Sequence, residues 1–189
     1  MPPLTREYLA VGAGFYTQWS FLVGAPLHWI AVLSETPATS YVGSATLNQR
    51  DSFTYGGQSI PSDDTVQRIA VKAWLQWGGS PLPISARVFP FYRYGNVDVE
   101  AATEWFVPPP FDEEPTIPGP VLEMPEIDMP LLPVGQLIPS TGPLNRLAPQ
   151  FGIRNNSPRR VHCHALKVRV TSQPYSDRRG LVGRAWWRK

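Results

Sequence analysis

The chain of 189 residues contains 22 prolines and 15 glycines, and only 17% of its residues are charged. So many conformational breakers exclude a mainly helical protein, whereas 42% hydrophobic and 12% aromatic residues are enough to fill a core and argue against wholesale disorder. The formal net charge of +2 is too balanced to indicate nucleic-acid or membrane binding by the chain as a whole.

The N-terminal region contains an apolar stretch, but Arg6 and Glu7 precede it and Gln18 with Trp19 interrupts it. No small-residue cleavage pattern follows, so we expect no signal peptide. No window reaches about 18 uninterrupted apolar residues, so we also expect no transmembrane helix.

Short strand patterns dominate the first half of the chain. The early candidates are 14–23, 29–34 and 39–47, each bounded by Gly, Pro or Ser. The clearest is 65–77, where alternate residues are apolar over much of the run, which predicts a strand with one buried face.

A turn at 78–81 and a second strand at 84–94 follow, and together with 65–77 they predict a β-hairpin. The segment 97–106 is the one candidate helix, although 97–100 fits a strand as well. Many short strands separated by turns favour an all-β domain of the β-sandwich or jelly-roll type.

Twelve of the 22 prolines lie between residues 108 and 149. Each proline lacks an N–H and pushes its predecessor toward extended geometry, so neither a helix nor a central strand is expected there. The pattern predicts a long extended arm with polyproline-II character. Large apolar residues stand between the prolines, which indicates that the arm lies along a surface, either of its own domain or of a neighbouring subunit.

Charge is segregated along the chain. No Lys or Arg occurs from residue 95 to 145, a stretch that holds nine of the chain's 15 acidic residues, whereas eleven basic residues and one acid follow from Arg146 onward. An acidic arm and a basic C-terminal region suit head-to-tail contacts between copies, or an attraction within one chain. We therefore divide the chain into a core (1–107), the proline-rich arm (108–149) and a last part (150–189) with returning strands and a basic tail.

The segment 161–170 alternates like a strand and carries His162, Cys163 and His164. In a strand the two histidines share one face and Cys163 lies on the other, so the three do not converge on a metal ion, and packed or surface histidines are expected instead. The single cysteine excludes an intramolecular disulfide. Cys163 and His28 could in principle act as a thiol nucleophile and its base, but no sequence pattern marks the turn that would present such a nucleophile.

Other enzyme signatures are missing from the sequence. Glu100 and Glu104 form a pair of acids with no rigid scaffold to hold them at a catalytic separation. There is no Walker loop, no G-x-G-x-x-G after a strand, no H-E-x-x-H and no G-x-S-x-G. We therefore predict no enzyme, no cofactor and no metal.

The basic tail combines arginines with two adjacent tryptophans near the C-terminus. Arginine with aromatic residues is typical of protein-interaction hot spots and of stacking on nucleic acid. Docking on an acidic protein surface is the favoured interpretation, C-terminal strand packing the second, and nucleic acid the least favoured.

The stretch from Arg50 to Ala73 resembles a pattern of β-sandwich proteins from tailed-phage virions, in which an aromatic strand leads through an Ile-Pro turn into a core strand. Ile60 would pack in the core, Pro61 would fix the turn, and Asp63 or Asp64 would cap it. The apolar residues after the turn would begin the sandwich layer; they are Val66, Ile69 and Val71.

The resemblance implies a capsid-decorating or cementing protein of the virion, assembled in the host cytoplasm, that bridges neighbouring subunits. Its partners would be the major capsid protein or other virion subunits, and further copies of itself, with no membrane partner. The candidate partner-binding residues lie in the arm and the tail: Phe111, Ile117, Leu122, Met124, Ile127, Met129, Leu131, Leu132, Arg178, Arg179, Arg184, Trp186 and Trp187.

Two alternatives remain open from the sequence. A neck, tail or fibre-associated virion protein would differ from a decoration protein in its copy number per particle. A carbohydrate-binding module would use exposed aromatic rings as a stacking platform, and its candidates are Trp74, Trp77, Tyr92 and Tyr94.

Overall fold

The computed structural model describes residues 2–33, 40–56, 60, 64–79, 84–94, 96–110, 118–131 and 150–174. Within these ranges the protein is all-β and antiparallel, with a single one-turn helix, α1 (His28–Ala31). The strands are β1 (Leu4–Thr17), β2 (Phe21–Val23), β3 (Tyr41–Ser44), β4 (Arg50–Gly56), β5 (Asp64–Trp77), β6 (Ala86–Tyr94), β7 (Val97–Glu100), β8 (Trp105–Val107), β9 (Val121–Glu123), β10 (Ile127–Met129), β11 (Gln150–Asn155) and β12 (Val161–Pro174). No helix in this part of the chain is long and apolar enough to cross a membrane.

The strands follow one main path of hydrogen-bonded neighbours, β10-β5-β12-β1-β4-β11-β6-β7. Strand β1 lies at its centre because residues 4–8 pair with β12 and residues 9–17 pair with β4. Register shifts between Ala10 and Gly12 and between Ala13 and Thr17 accompany this change of partner. One long strand therefore joins two halves of the β structure. One half contains β12 and the strands that pair with it or with β5, and the other contains β4, β11, β6, β7 and β8.

Both halves contribute to one hydrophobic core. The largest fully buried side chains come from β1 itself and from strands or loops on either side of it, and they include Trp19, Trp77, Trp105, Tyr8, Tyr55 and Tyr92. Tyr55 of β4 donates its hydroxyl to the backbone oxygen of Leu166 in β12, 3.3 Å away. Burying this much aromatic surface is the main stabilising contribution available to a chain without disulfides.

The two strands with the clearest alternation are confirmed. β5 and β12 pair along nearly their whole length, with Val71 opposite Val168 and Leu75 opposite Cys163. A register shift between Cys163 and Ala165 breaks the simple alternation assumed for β12. Both faces of β12 are covered at its start, because every residue from 161 to 166 is buried.

The predicted hairpin of β5 with β6 is wrong. β5 pairs with β9, β10 and β12, whereas β6 pairs with β7, β8 and β11. The physical reason is that β5 is a long strand whose best match is the equally long, distant β12. Strands that are adjacent in sequence often pair, but this is only a tendency. Here the longer pairing of β5 with the distant β12 takes its place.

Three local predictions also change. In the described part of the predicted strand 29–34, residues 29–31 belong to α1 and Leu33 forms an isolated bridge to Ala165. The segment 97–106 contains β7 and the start of β8 and no helix. The segment 14–23 is shared between β1 and β2, since β1 already begins at Leu4.

The stretch with the phage resemblance comprises β4, Ile60 and most of β5. Ile60 is buried, as expected, and so are Val66, Ile69 and Val71. Asp64 is buried as well, accepts a hydrogen bond from the Ser172 hydroxyl at 2.6 Å and lies 3.7 Å from Arg6. It therefore links β5 to β12, and Pro61 and Asp63 lie outside the described residues.

Candidate interaction site

Residues 118–131 of the arm lie along the outer edge of β5. Strand β9 pairs with residues 74–76, and β10 pairs with residues 69–71. We call this segment the strap. An edge strand needs only every second N–H for pairing, so prolines are tolerated at the intervening positions. The sequence alone allows the arm to lie on its own domain or on a neighbour, and the strap lies on its own domain.

Side chains and backbone of the domain hold the strap between and beyond its two strands. The Gly119 N–H donates to the Trp77 backbone oxygen at 2.8 Å, and the Met124 N–H donates to the Ala73 oxygen at 2.9 Å. Trp105 of β8 donates its indole N–H to the Pro125 oxygen at 2.8 Å. The strap is therefore fixed from both halves of the β structure.

The candidate partner-binding residues of the strap have different positions. Met124, Ile127 and Met129 are buried in the core of their own chain, and Leu122 is half-buried against it. Leu131 is 42% exposed. The remaining candidates lie outside the described residues: Phe111, Ile117, Leu132, Arg178, Arg179, Arg184, Trp186 and Trp187.

The acidic side chains of the strap pair with basic side chains of the domain. Glu126 lies between Arg68 (3.0 Å) and Arg169 (2.5 Å). Asp128 also contacts Arg68, at 2.6 Å, and Glu123 contacts Lys72 at 2.5 Å. Part of the charge segregation seen in the sequence is thus used within one chain.

A histidine cluster lies beside the start of the strap. His162 Nδ1 and His164 Nε2 each lie 3.1 Å from Gln76 Oε1, and Gln76 Nε2 donates to the Gly119 oxygen at 2.6 Å. Tyr41 stacks on His162 with ring centroids 4.0 Å apart. The two histidines share one side of β12, as the sequence predicted, and they serve packing and hydrogen bonding.

Burial, together with the neighbouring His164 and Arg160, lowers the pKa of His162 to about 3. The ring is therefore neutral at pH 7. Within the described residues, no group of three or more His, Cys, Asp or Glu side chains is placed to hold a metal ion.

Cys163 is buried, and burial together with nearby Asp51 raises the pKa of its thiol well above the usual range. A thiol that stays protonated is a poor nucleophile, so this position does not suit covalent catalysis. His28 instead contacts Asp51, with Nδ1 2.7 Å from Oδ2. Burial raises the pKa of Asp51 to about 6. The hydrogen bond between His28 and Asp51 raises the pKa of His28.

An exposed surface on β6 and its neighbours was not predicted from the sequence. Ala86, Val88 and Tyr92 of β6 are buried in the core, so the alternate residues of this strand lie on its other face. There the Arg93 guanidinium lies 4.1 Å from the ring centroid of Phe15, and the Arg87 guanidinium 5.6 Å from that of Phe106.

Phe15 is 63% exposed and Phe106 58% exposed. We call this surface the aromatic–arginine face; its members are Phe15, Tyr16, Arg50, Arg87, Phe89, Arg93, Asp98, Glu100, Glu104, Phe106 and Arg154. The sequence signal that could have predicted this face is the run of Arg and Phe residues at alternate positions of β6.

Carboxylates hold the arginines of this face in place. Glu100 accepts two hydrogen bonds from Arg154, at 2.6 and 2.9 Å. Asp98 accepts hydrogen bonds from Arg93 at 2.8 Å and from the Tyr16 hydroxyl at 2.7 Å. Bidentate and shared contacts restrict the arginine rotamers, so less side-chain entropy is lost when a partner binds.

Three of the four aromatic rings proposed from the sequence for a carbohydrate-binding platform are not exposed. Trp74, Trp77 and Tyr92 are all buried, and the Tyr94 side chain lies outside the described part. Buried rings cannot stack on a sugar.

Comparisons of the chain with protein-family models, with curated proteins and with solved structures gave no match.

Proposed function

We propose that this chain is a non-enzymatic structural protein of a tailed-phage virion that decorates or cements the capsid by bridging neighbouring subunits. The virion assignment is supported by the resemblance of residues 50–73. The binding role is supported by one observation above the others, the aromatic–arginine face. Exposed aromatic rings backed by ordered arginines have the composition of protein–protein hot spots.

We also propose that the two halves of the β structure face each other as a β-sandwich. This is supported by the single core to which both halves contribute and by contacts such as that of Trp105 with the strap. Strand β1 would then form one side of the sandwich, because it pairs with β12 of one half and β4 of the other. Such a body presents the aromatic–arginine face outward.

The mechanism would be binding to the assembled shell in preference to free subunits. Each bound copy adds interface area and shifts the assembly equilibrium toward the closed lattice. Because Met124, Ile127 and Met129 are buried in the chain's own core, the bridging contacts are assigned to the aromatic–arginine face, to Leu131 and to the candidate residues on either side of the strap.

The test uses purified particles that lack the protein. Phe106→Ser should reduce occupancy on the particle at least tenfold, because a hot-spot aromatic contributes about 2 kcal/mol or more. Leu4→Ser is the matched control, since Leu4 is 52% exposed and lies at the opposite end of β1 from Phe15. Full occupancy by Phe106→Ser would contradict the assignment of the face.

Copy number separates decoration from the neck, tail or fibre alternative. Quantitative mass spectrometry of particles should give hundreds of copies for a decorating protein and a single small ring for a neck or tail protein. Absence from particles, combined with binding on a glycan array, would support the carbohydrate alternative instead.

A further inference from the structure

Within the described part of the chain, one arginine of the aromatic–arginine face has no hydrogen-bonded acceptor for its side chain. Arg50 Nε lies 3.6 Å from Asp98 Oδ2, and Arg50 Nη2 lies 3.7 Å from Glu100 Oε1. Both are ion pairs that are too long for hydrogen bonds. The Nε atom is buried, and no described residue accepts a hydrogen bond from it. A donor withdrawn from water without an acceptor costs free energy, so this guanidinium is suited to binding one.

The two carboxylates beside Arg50 are already engaged by other donors. Asp98 accepts short hydrogen bonds from two other side chains, and Glu100 accepts two from Arg154. The three guanidiniums of Arg50, Arg93 and Arg154 thus surround two carboxylates, which leaves an excess of one positive charge. Arg50 is the member of this group that is left for a further acceptor.

The surroundings of Arg50 hold it in position. Its backbone N–H donates to Gln18 Oε1 at 2.9 Å, and its backbone oxygen accepts from the Gln18 N–H at 3.0 Å. Its guanidinium lies 5.6 Å from the ring centroid of Tyr16, whose hydroxyl donates to Asp98 at 2.7 Å. The Arg50 side chain is still 31% exposed, so a ligand can reach it. Because the site is already ordered, binding costs little conformational entropy.

The charge around Arg50 selects the class of ligand. One excess positive charge matches one carboxylate, which a guanidinium binds through two parallel N–H···O hydrogen bonds. A nucleic acid needs a row of unpaired cations, and Asp98 and Glu100 would repel such a polyanion. The exposed ring of Phe15 lies beside the site, with its centroid 4.9 Å from that of Tyr16. It suits an apolar residue next to the carboxylate.

We propose that Arg50 is the residue of the aromatic–arginine face that recognises a carboxylate of the partner protein, an Asp or Glu side chain next to an apolar residue. Binding completes the hydrogen bonding of the guanidinium and cancels the excess charge. That the partner is a protein of the assembled shell rests on the proposed function. The preference for a carboxylate does not rest on it and can be tested on the free protein.

The first experiment follows the side-chain N–H of Arg50 by NMR in the wild-type free protein. The nitrogen is buried, which protects its proton from exchange with water, and Arg50→Lys assigns the signal by removing it. The probe is the blocked peptide acetyl-Phe-Glu-amide, which should shift this signal saturably. The matched neutral peptide acetyl-Phe-Gln-amide should leave it in place.

The second experiment uses purified particles that lack the protein. Arg50→Gln should weaken binding at least tenfold, as expected of a hot-spot arginine. Arg50→Lys keeps the charge but loses the planar fork, so it should bind with intermediate affinity. The matched control is Arg160→Gln, which should bind like the wild type. Arg160 also lies over an aromatic ring, 4.6 Å from the centroid of Phe21, but outside the face.

Chemical neutralisation of the particle tests the class of ligand. Converting particle carboxylates to amides with a carbodiimide and glycinamide should weaken wild-type binding at least tenfold and leave the already weak binding of Arg50→Gln unchanged. The same loss for both proteins would show that Arg50 does not contact a carboxylate. Competition by duplex DNA that depends on Arg50 would identify a phosphate ligand and overturn the proposal.

The free protein supplies further decisive outcomes. Equal shifts with both peptides, or no shift with either, overturn the proposal. An Arg50 signal that moves with protein concentration alone would assign the site to a second copy instead. If the glutamate peptide binds but the protein does not bind particles, the proposed function fails and the carboxylate site stands. If Phe106→Ser lowers occupancy and Arg50→Gln does not, the proposed function stands and this inference fails.

Discussion

At the residue scale, the histidine cluster makes stability depend on pH. His162 is neutral in the folded state with a pKa of about 3, whereas its ordinary value is 6.5. Between these values the unfolded chain binds the proton and the folded chain does not. Stability is therefore fully present above about pH 6.5 and is lost as the pH falls toward 3.

We predict that His162 alone lowers the free energy of unfolding by about 2 kcal/mol between pH 7 and pH 5. His162→Gln keeps a donor for Gln76 and removes the titration, so its stability should fall by about 2 kcal/mol less over this interval. Urea unfolding of both proteins at the two pH values measures the difference. Equal losses in both would show that His162 is solvated.

A second residue-scale prediction concerns Gly152 in β11. A Cβ there would lie 2.2 Å from the Asp51 backbone oxygen and 2.8 Å from Phe91 Cζ. We expect Gly152→Ala to destabilise the fold by about 1–3 kcal/mol or more, because backbone on β4 must move. Gly119→Ala is the control, since its nearest neighbour, Pro110 Cδ, is 3.3 Å away and the expected loss is smaller. Equal denaturation midpoints for the two variants would contradict the close approach of β11 to β4.

At the element scale, the strap protects an edge. Without β9 and β10, the long strand β5 would expose the edge that faces away from β12. An uncovered edge of this length invites association with other chains. The strap closes it with short strands, prolines and acidic side chains, all of which are poor templates for further pairing.

We predict that the strap contributes directly to stability. Ile127→Ala removes a buried side chain opposite Val71 and should cost about 2–4 kcal/mol in the free energy of unfolding. Leu131→Ala, at an exposed position of the same segment, should change it by less than about 0.5 kcal/mol. Chemical denaturation of both variants gives the comparison. If Ile127→Ala left the free energy of unfolding unchanged, the strap would not contribute to the stability of the fold.

Sequence patterns predicted the elements that depend on local alternation and missed those that depend on distant partners. β5 and β12 were predicted because their apolar residues alternate over many positions. The pairing of β5 with β12 instead of β6 is set by shape and length across almost a hundred residues of sequence, which no local pattern records. The short strands β9 and β10 form because β5 offers an edge, and prolines in the arm concealed them.

The candidate site was predicted only in part for the same reason. The charge of the arm is visible in the sequence, but its use, with Glu126 between Arg68 and Arg169, depends on the fold. The aromatic–arginine face draws on residues from β1, β4, β6, β7, β8 and β11. Its members become neighbours only when those strands pair.

At the scale of the whole molecule, the lone thiol reports on the integrity of the core. Cys163 lies on β12 between β3 and β5, is fully buried and has a raised pKa. Its Sγ–H approaches the Ala165 backbone oxygen at 3.4 Å. A reagent that needs the thiolate can reach it only after these neighbouring strands separate, and a single shared core makes that event equivalent to global unfolding.

We therefore predict that a thiol reagent modifies native Cys163 at least ~10³-fold more slowly than the unfolded chain, since a domain stability above about 5 kcal/mol allows so few open molecules. Ala102→Cys supplies an exposed thiol in the same protein and should react at once, which controls for reagent activity. The slow rate should rise with urea in parallel with global unfolding measured by tryptophan fluorescence. Rapid native labelling of Cys163 would instead show that β12 opens locally, and the two halves of the β structure would not share one cooperative core.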